Sequence, residues 1–119
     1  MRLFHITTAE AWERAKAAGE YRAPSLETEQ FIHLSTDSQW IRTAQRFFRG
    51  QRGLVLLSIR LDRVKAEVKF ERADGEDFPH LYGALNLDAV VEVFPLPVGD
   101  DGAILAPTRK PTEPQTAGH

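Results

Sequence analysis

The chain has no cysteine. That excludes a disulfide framework, thiol catalysis, iron–sulfur clusters and cysteine-ligated zinc, and leads to the expectation of a reducing, cytoplasmic setting. No run approaches the roughly 18 consecutive apolar residues of a membrane-spanning helix. The opening Met1-Arg2-Leu3-Phe4-His5-Ile6 lacks the long apolar stretch and small-residue cleavage site of a signal peptide, and neither end carries a lipidation motif. Excess charge of one sign is missing too: 15 Lys and Arg face 17 Asp and Glu, with a pI near 6.1. General affinity for nucleic acid or for an anionic membrane is therefore not expected. There is no Gly-x-Gly-x-x-Gly, no phosphate-cradling Gly-Lys-Ser/Thr loop, no His-Glu-x-x-His and no Gly-x-Ser-x-Gly. The dinucleotide-fold, P-loop, zincin and α/β-hydrolase readings lose their support. No internal repeat is present.

What remains is ordinary globular composition, 42% hydrophobic and 27% charged over 119 residues. That is enough for one domain with a core of its own. From Gly99 to His119 there are three prolines, three threonines and three glycines. Such a stretch offsets little of its ordering entropy by burial. The expectation is a working domain over 1–98 and a flexible tail over 99–119, with Ile104-Leu105 as its one docking point.

Periodicity sketches the elements. Leu3-Phe4-His5-Ile6 reads as a strand, and Thr7-x-x-Glu10 as a capping box that opens a helix stopped by Gly19. Tyr21 to Gln30 is a polar loop. Phe31-Ile32-His33-Leu34-Ser35 is a second strand, and Thr36-x-x-Gln39 a second capping box. In the helix that follows, Trp40, Ile41, Ala44, Phe47 and Phe48 share one face, with Arg42, Arg46 and Arg49 on the opposite, solvated one. Leu54 to Leu61 is nearly continuous in apolar residues, as in a central strand. Val64 to Glu71 alternates, with Lys65, Glu67, Lys69 and Glu71 on its polar side. Arg72 to Phe78 reads as an acidic turn region, Pro79 to Gly83 as a short irregular segment, and Val90 to Leu96 as the last strand. Two helices and strands gathered late predict an α+β fold with a mixed or antiparallel sheet. Charge is segregated: residues 42–72 hold nine Lys and Arg against three Asp and Glu, and residues 73–92 hold five acids and no base.

Histidine placement is the positive signal. His5, His33 and His80 are each flanked by residues that expect burial: Phe4 and Ile6, Ile32 and Leu34, Pro79 and Leu81. Alternation on a strand turns His5 and His33 away from their neighbours' side. Imidazoles on the far faces of two strands can converge on one cleft. Ser35 and Thr36 add hydroxyls beside a helix start, an anion-friendly place. His80 and Tyr82 fall on one side of an extended stretch, and Glu71 ends the alternating strand on its polar face. A metal site of His5, His33 and His80 has no local ligand spacing behind it, so no metal is expected.

Phe4-His5-Ile6-Thr7, Phe31 to Thr36, the Trp/Phe helix, Glu71 and Phe78-Pro79-His80-Leu81-Tyr82-Gly83, in this order, resemble the bacterial family known as domain of unknown function 952, over about residues 1–96. That family is grouped with the ADP-ribosyltransferase-like fold. The resemblance implies a split, strongly bent sheet with an NAD-type cleft between its halves. It gives His5 the place of a ribose-binding residue, and makes His33, Ser35 and Thr36 similar to the motif lining the nicotinamide pocket. It offers Glu71, or His80 with Tyr82, for the position that supports an oxocarbenium-like transition state. On this reading His33, Glu71 and His80 are catalytic, and His5, Ser35, Thr36 and Tyr82 bind NAD or an ADP-ribose-like nucleotide, with Tyr82 available to stack on a base. The implied activity is ADP-ribosyl transfer or cleavage of an NAD-type glycosidic bond. The alternative is a non-catalytic module that binds a nucleotide or small anion.

Overall fold

The computed structural model describes residues 1–107. It is an α+β fold with strands β1 (Arg2–Thr8), β2 (Glu20–Tyr21), β3 (Ile32–His33), β4 (Leu54–Arg60), β5 (Glu67–Ala73), β6 (Glu76–Tyr82), β7 (Leu85–Asn86) and β8 (Val90–Pro95). Three helices intervene: α1 (Ala9–Ala18), α2 (Ser25–Thr28) and α3 (Trp40–Phe47). The strands form two three-stranded sheets, β1-β4-β8 and β3-β6-β5, and a β2-β7 ribbon. All pairings between these strands are antiparallel, where a mixed sheet was among the expectations. The third helix, α2, is a single turn inside the stretch expected to be loop. No helix among the described residues is long and apolar enough to cross a membrane.

β4 holds the molecule together. Val55, Leu57 and Ile59 project into one apolar cluster with Leu3, Trp12, Tyr21, Ile32 and Leu81. Leu54 and Leu56 project into a second with Phe4, Ile6, Trp40, Ala44 and Phe94. Burial on both faces is why this strand has no polar alternation. In α3, Trp40 and Ala44 are buried, while Phe47 stays 59% exposed.

Several local expectations shift. The α1 cap is Thr8, whose hydroxyl accepts from Ala11 N at 3.0 Å; Thr7 instead turns inward against Tyr21. The second capping box forms by half. Gln39 Oε1 accepts from Thr36 N at 3.0 Å, but the helix begins only at Trp40, and Thr36 Oγ1 lies 3.4 Å from Ser38 Oγ. The acidic turn is a tight hairpin between β5 and β6, with Asp74 (φ 51°) and Gly75 (φ 84°) at its tip. This is the positive-φ pair that a two-residue hairpin of this twist demands.

Of the segment expected to be irregular, Pro79 to Gly83, all but Gly83 is part of β6, the middle strand of its sheet. Proline is tolerated there because the carbonyl of Pro79 accepts from Leu34 N at 3.0 Å, just past the end of β3. The missing N–H therefore faces the point where the partner strand leaves.

Residues 99–107, assigned above to the tail, fold back on the domain. Val98 bridges Ile104, Gly50 N donates to Gly102 O at 2.8 Å, and Ile104 is 1% exposed in the second apolar cluster. The Gln45 side-chain amide grips the Ile104 peptide on both sides, donating to its carbonyl and accepting from its N–H. A single branched side chain in a waiting apolar slot is the reason. Residues 108–119 lie outside the described residues. Truncating the anchor, Ile104→Ala, is expected to lower the unfolding free energy by about 2–5 kcal/mol in urea titrations. A loss within about 0.5 kcal/mol, the range of a surface change, would mean that the slot is not filled.

Candidate functional site

The two three-stranded sheets meet at one isolated bridge. Phe4 N donates to Ser35 O at 2.7 Å, and Ser35 N to Phe4 O at 2.8 Å. Around this joint lies a cavity of about 450 Å³, lined from β1 by Phe4, His5 and Ile6, and from the β3 region by Glu29, Phe31, His33, Leu34 and Ser35. Phe78 and His80 of β6, the hairpin residues Ala73 and Asp74, and Thr43, Phe47 and Phe48 from α3 and its end complete the wall.

The three imidazoles that the sequence singled out, His80 now on a strand of its own, are brought together. His33 and His80 are register partners, with ring centroids 5.6 Å apart at 77°. His5 Nδ1 donates to the His33 carbonyl at 2.7 Å. That bond fixes the tautomer, since a carbonyl only accepts; His5 Nε2 is then an acceptor, 2.8 Å from the Tyr21 hydroxyl. Tyr21 in turn lies 3.0 Å from Thr7 Oγ1. Burial lowers the His5 pKa to about 4, against a smaller opposing effect of the His33 carbonyl. Burial likewise raises that of Tyr21.

His80 is 7% exposed, with Phe31 stacked on it at 4.0 Å and 18°. Its Nδ1 faces Glu71 Oε1 at 2.8 Å, and the Tyr82 hydroxyl donates to the same oxygen at 2.5 Å. The Tyr82 and His80 hydrogen bonds hold Glu71 below the usual carboxylate range, and Glu71 pushes Tyr82 up. An ionised carboxylate only accepts, so His80 Nδ1 carries the proton. His80 Nε2 has no partner among the described residues and belongs to a ring on the cavity wall. β-pairing explains the cluster: Lys69 is opposite His80 and Glu67 opposite Tyr82, so Glu71 shares their face of the sheet.

The seven sequence candidates thus separate. His5, His33, Ser35 and His80 line the cavity; Glu71 and Tyr82 stand behind His80 rather than in the wall. Lys69 Nζ lies over the Tyr82 ring, 4.8 Å from its centroid. Thr36 sits in a different recess with Met1, Arg2, Asp37 and Ser38. Glu29 was missed. Its carboxylate lies 2.9 Å from His33 Nε2, i,i+4 along the chain, and two acids just before Phe31 were the signal available. The Arg42, Arg46 and Arg49 stripe is spent on ion pairs with Glu76, Asp74 and Asp101. Among the described residues no three His, Asp or Glu side chains are grouped to hold a metal ion.

A family model described as protein of unknown function (DUF952) matches residues 6–93. The chain belongs to the DUF952 family. The crystal structure of protein CC0527 from Caulobacter crescentus is 33% identical and superposes with a TM-score of 0.81, over 87% of this chain and 93% of that one. A crystal structure of its double mutant gives the same values. The solution NMR structure of CC0527 gives a TM-score of 0.74 over 87% of this chain and 90% of that one. No curated protein matches the chain.

The His5 environment makes the stability of this DUF952 domain depend on pH. The folded-state pKa of about 4 lies below the 6.5 of an unperturbed imidazole. The unfolded state therefore binds the extra proton first. The stabilisation is complete above pH about 6.5 and is lost as pH falls towards about 4, by on the order of 3 kcal/mol. Urea midpoints of the native protein should fall across that window, and His5→Gln should remove this component of the slope; identical slopes would contradict a neutral buried ring.

Proposed function

We propose that the DUF952 cleft binds a nucleotide of the NAD or ADP-ribose type and acts on its glycosidic bond, with His80 as the acid–base group. The observation that carries this reading is the convergence of His5, His33 and His80, from three strands, on one cavity of about 450 Å³. A space of that size suits one ring-plus-sugar portion of such a ligand. The motif resemblance to the ADP-ribosyltransferase-like fold supports the same ligand class, and the joining of two small sheets at Phe4–Ser35 supports a cleft between sheet halves. A reducing cytoplasm, inferred from the lack of cysteine, is a setting where such nucleotides occur.

The chemistry follows from the tautomers. With Nδ1–H held by Glu71, His80 Nε2 is a base on the cavity side. In hydrolysis it takes a proton from water as the water oxygen bonds to the anomeric carbon. The carbon–nitrogen bond breaks, and its electron pair leaves with the ring nitrogen. On this reading the Glu29 carboxylate of the cavity wall favours the developing sugar cation by its charge. Glu71 thus works through His80, as a positioning residue.

A second reading has an observation of its own. Glu71, the carboxylate expected to face the sugar, is held out of the wall by Tyr82 and His80, which favours a module that binds without catalysing. Calorimetry with NAD, ADP-ribose and mononucleotides, beside turnover assays with labelled NAD and ADP-ribosylated substrates, separates the two. On the enzyme reading His80→Ala lowers turnover by about 10²-fold or more with binding retained, and His33→Ala weakens binding by about tenfold. Binding without turnover in the native protein selects the module; no binding of any nucleotide removes both readings.

A further inference from the structure

The chain stays extended past the end of β3, as its backbone bonds record. The His33 carbonyl and both Ser35 backbone groups face β1, whereas Leu34 N reaches Pro79 O on β6 at 3.0 Å. Bonds that alternate in this way put the His33 and Ser35 side chains on one face. His80, the register partner of His33, is on that face too. Ser35 is then one diagonal step from His80, a backbone separation of roughly 7–8 Å that an aromatic side chain spans.

The working ends of both side chains are open. Among the described residues the Ser35 hydroxyl makes no hydrogen bond, and no buried side-chain oxygen or nitrogen is left without a partner. Its oxygen therefore meets free space although the residue is only 6% exposed, and the space that Ser35 lines is the cavity. The same reasoning opens His80 Nε2 to the cavity. Glu71 on β5 holds the Nδ1 proton of His80, which turns Nε2, across the ring, to the β3 side where Ser35 lies. A free hydroxyl, an imidazole with its basic nitrogen open and a carboxylate on the other nitrogen are the parts of an activated serine. No direct hydrogen bond joins Ser35 to His80; such pairs are often long in ligand-free proteins and close on the substrate.

The reachable wall around them is apolar. Ala73, Phe48 and Phe78 are half-buried and Phe47 is exposed. No lysine or arginine lines the cavity, so a charged acyl group would lose its water with no cation in return.

We propose that Ser35, His80 and Glu71 act as nucleophile, base and positioning carboxylate in acyl transfer, and that the cavity takes an uncharged carboxylic ester with a short apolar acyl group. Ser35 Oγ bonds to the ester carbonyl carbon as its proton passes to His80 Nε2. The bond from that carbon to the alcohol oxygen breaks, and the alcohol leaves with the proton from Nε2. Water then adds to the acyl carbon, giving a proton to Nε2, and Ser35 leaves and takes it back. This activity shares His80 with the glycosidic reading and needs no nucleotide.

The test treats the full chain with a fluorophosphonate, which phosphonylates activated serines, and maps the adduct by peptide mass spectrometry. Hydrolysis of p-nitrophenyl butyrate and of its anionic counterpart, the p-nitrophenyl monoester of succinate, is followed beside it. Ser35 should carry the label, and the butyrate should be cleaved about tenfold or more faster than the succinate. Ser35→Ala should lose both labelling and hydrolysis. His80→Ala should slow both by about 10²-fold or more, with partial rescue by added imidazole, which a merely structural histidine would not show. Glu71→Gln, a partly exposed change that spares the fold if His80→Ala does not, should slow both by about tenfold or more. An unlabelled Ser35, hydrolysis that survives Ser35→Ala, or labelling indifferent to both His80 and Glu71 overturns the proposal. Labelling of Ser35 without NAD turnover keeps this inference and removes the glycosidic one; NAD turnover with Ser35 unlabelled does the opposite.

Discussion

The cavity exists because one hydrogen-bond ladder stops after a single rung. Phe4 and Ser35 exchange both of their backbone bonds, so the antiparallel register makes Ile6 and His33 the next bonded pair. That rung is not made. The His33 carbonyl accepts instead from the His5 ring at 2.7 Å. A side chain wedged where a backbone N–H would otherwise reach holds β1 and β3 apart, and the space between them opens towards His80 and α3. Joint, gap and first imidazole of the site are therefore one structural event.

The imidazoles of the site are held differently, and the differences set what each can do. His5 donates to a carbonyl and has an acceptor nitrogen against Tyr21, so it is built to stay neutral and fixed. His80 donates to a carboxylate that Tyr82 also holds, while Phe31 fixes the plane of the ring. His33 is more exposed and pairs with Glu29 at the mouth. A fixed ring, a ring with one nitrogen free, and a ring at the entrance form a graded set rather than three equivalent ligands, which accords with the lack of a metal-type grouping among the described residues.

Much of this was legible in the linear pattern. The continuous apolar run of β4, the alternation around His5 and His33, and the Trp40/Ala44 face of α3 each depend on local periodicity. The errors cluster where a distant partner decides. Pro79 argues against a central strand until β3 is seen to end beside it. Docking at Ile104 was legible in the sequence, but that residues 99–107 fold back with it depends on Gln45 and the second core. Thr36 looks like a site hydroxyl by adjacency to Ser35, yet the chain turns between them and sends the two to different recesses.

The sequence alone determined which residues could not be surface ornament: three histidines inside apolar triplets, an uninterrupted strand, and helices with one greasy face. Those are consequences of side-chain period, which the chain carries locally. Only the tertiary structure decided which of them share a space. Pairing β3 with β6, and β1 with Ser35 just past β3, brings together His5 and His80, 75 residues apart in the chain. Such long-range register is fixed by the packing of both apolar clusters against β4, and by where the ladder between Phe4 and Ser35 is allowed to end.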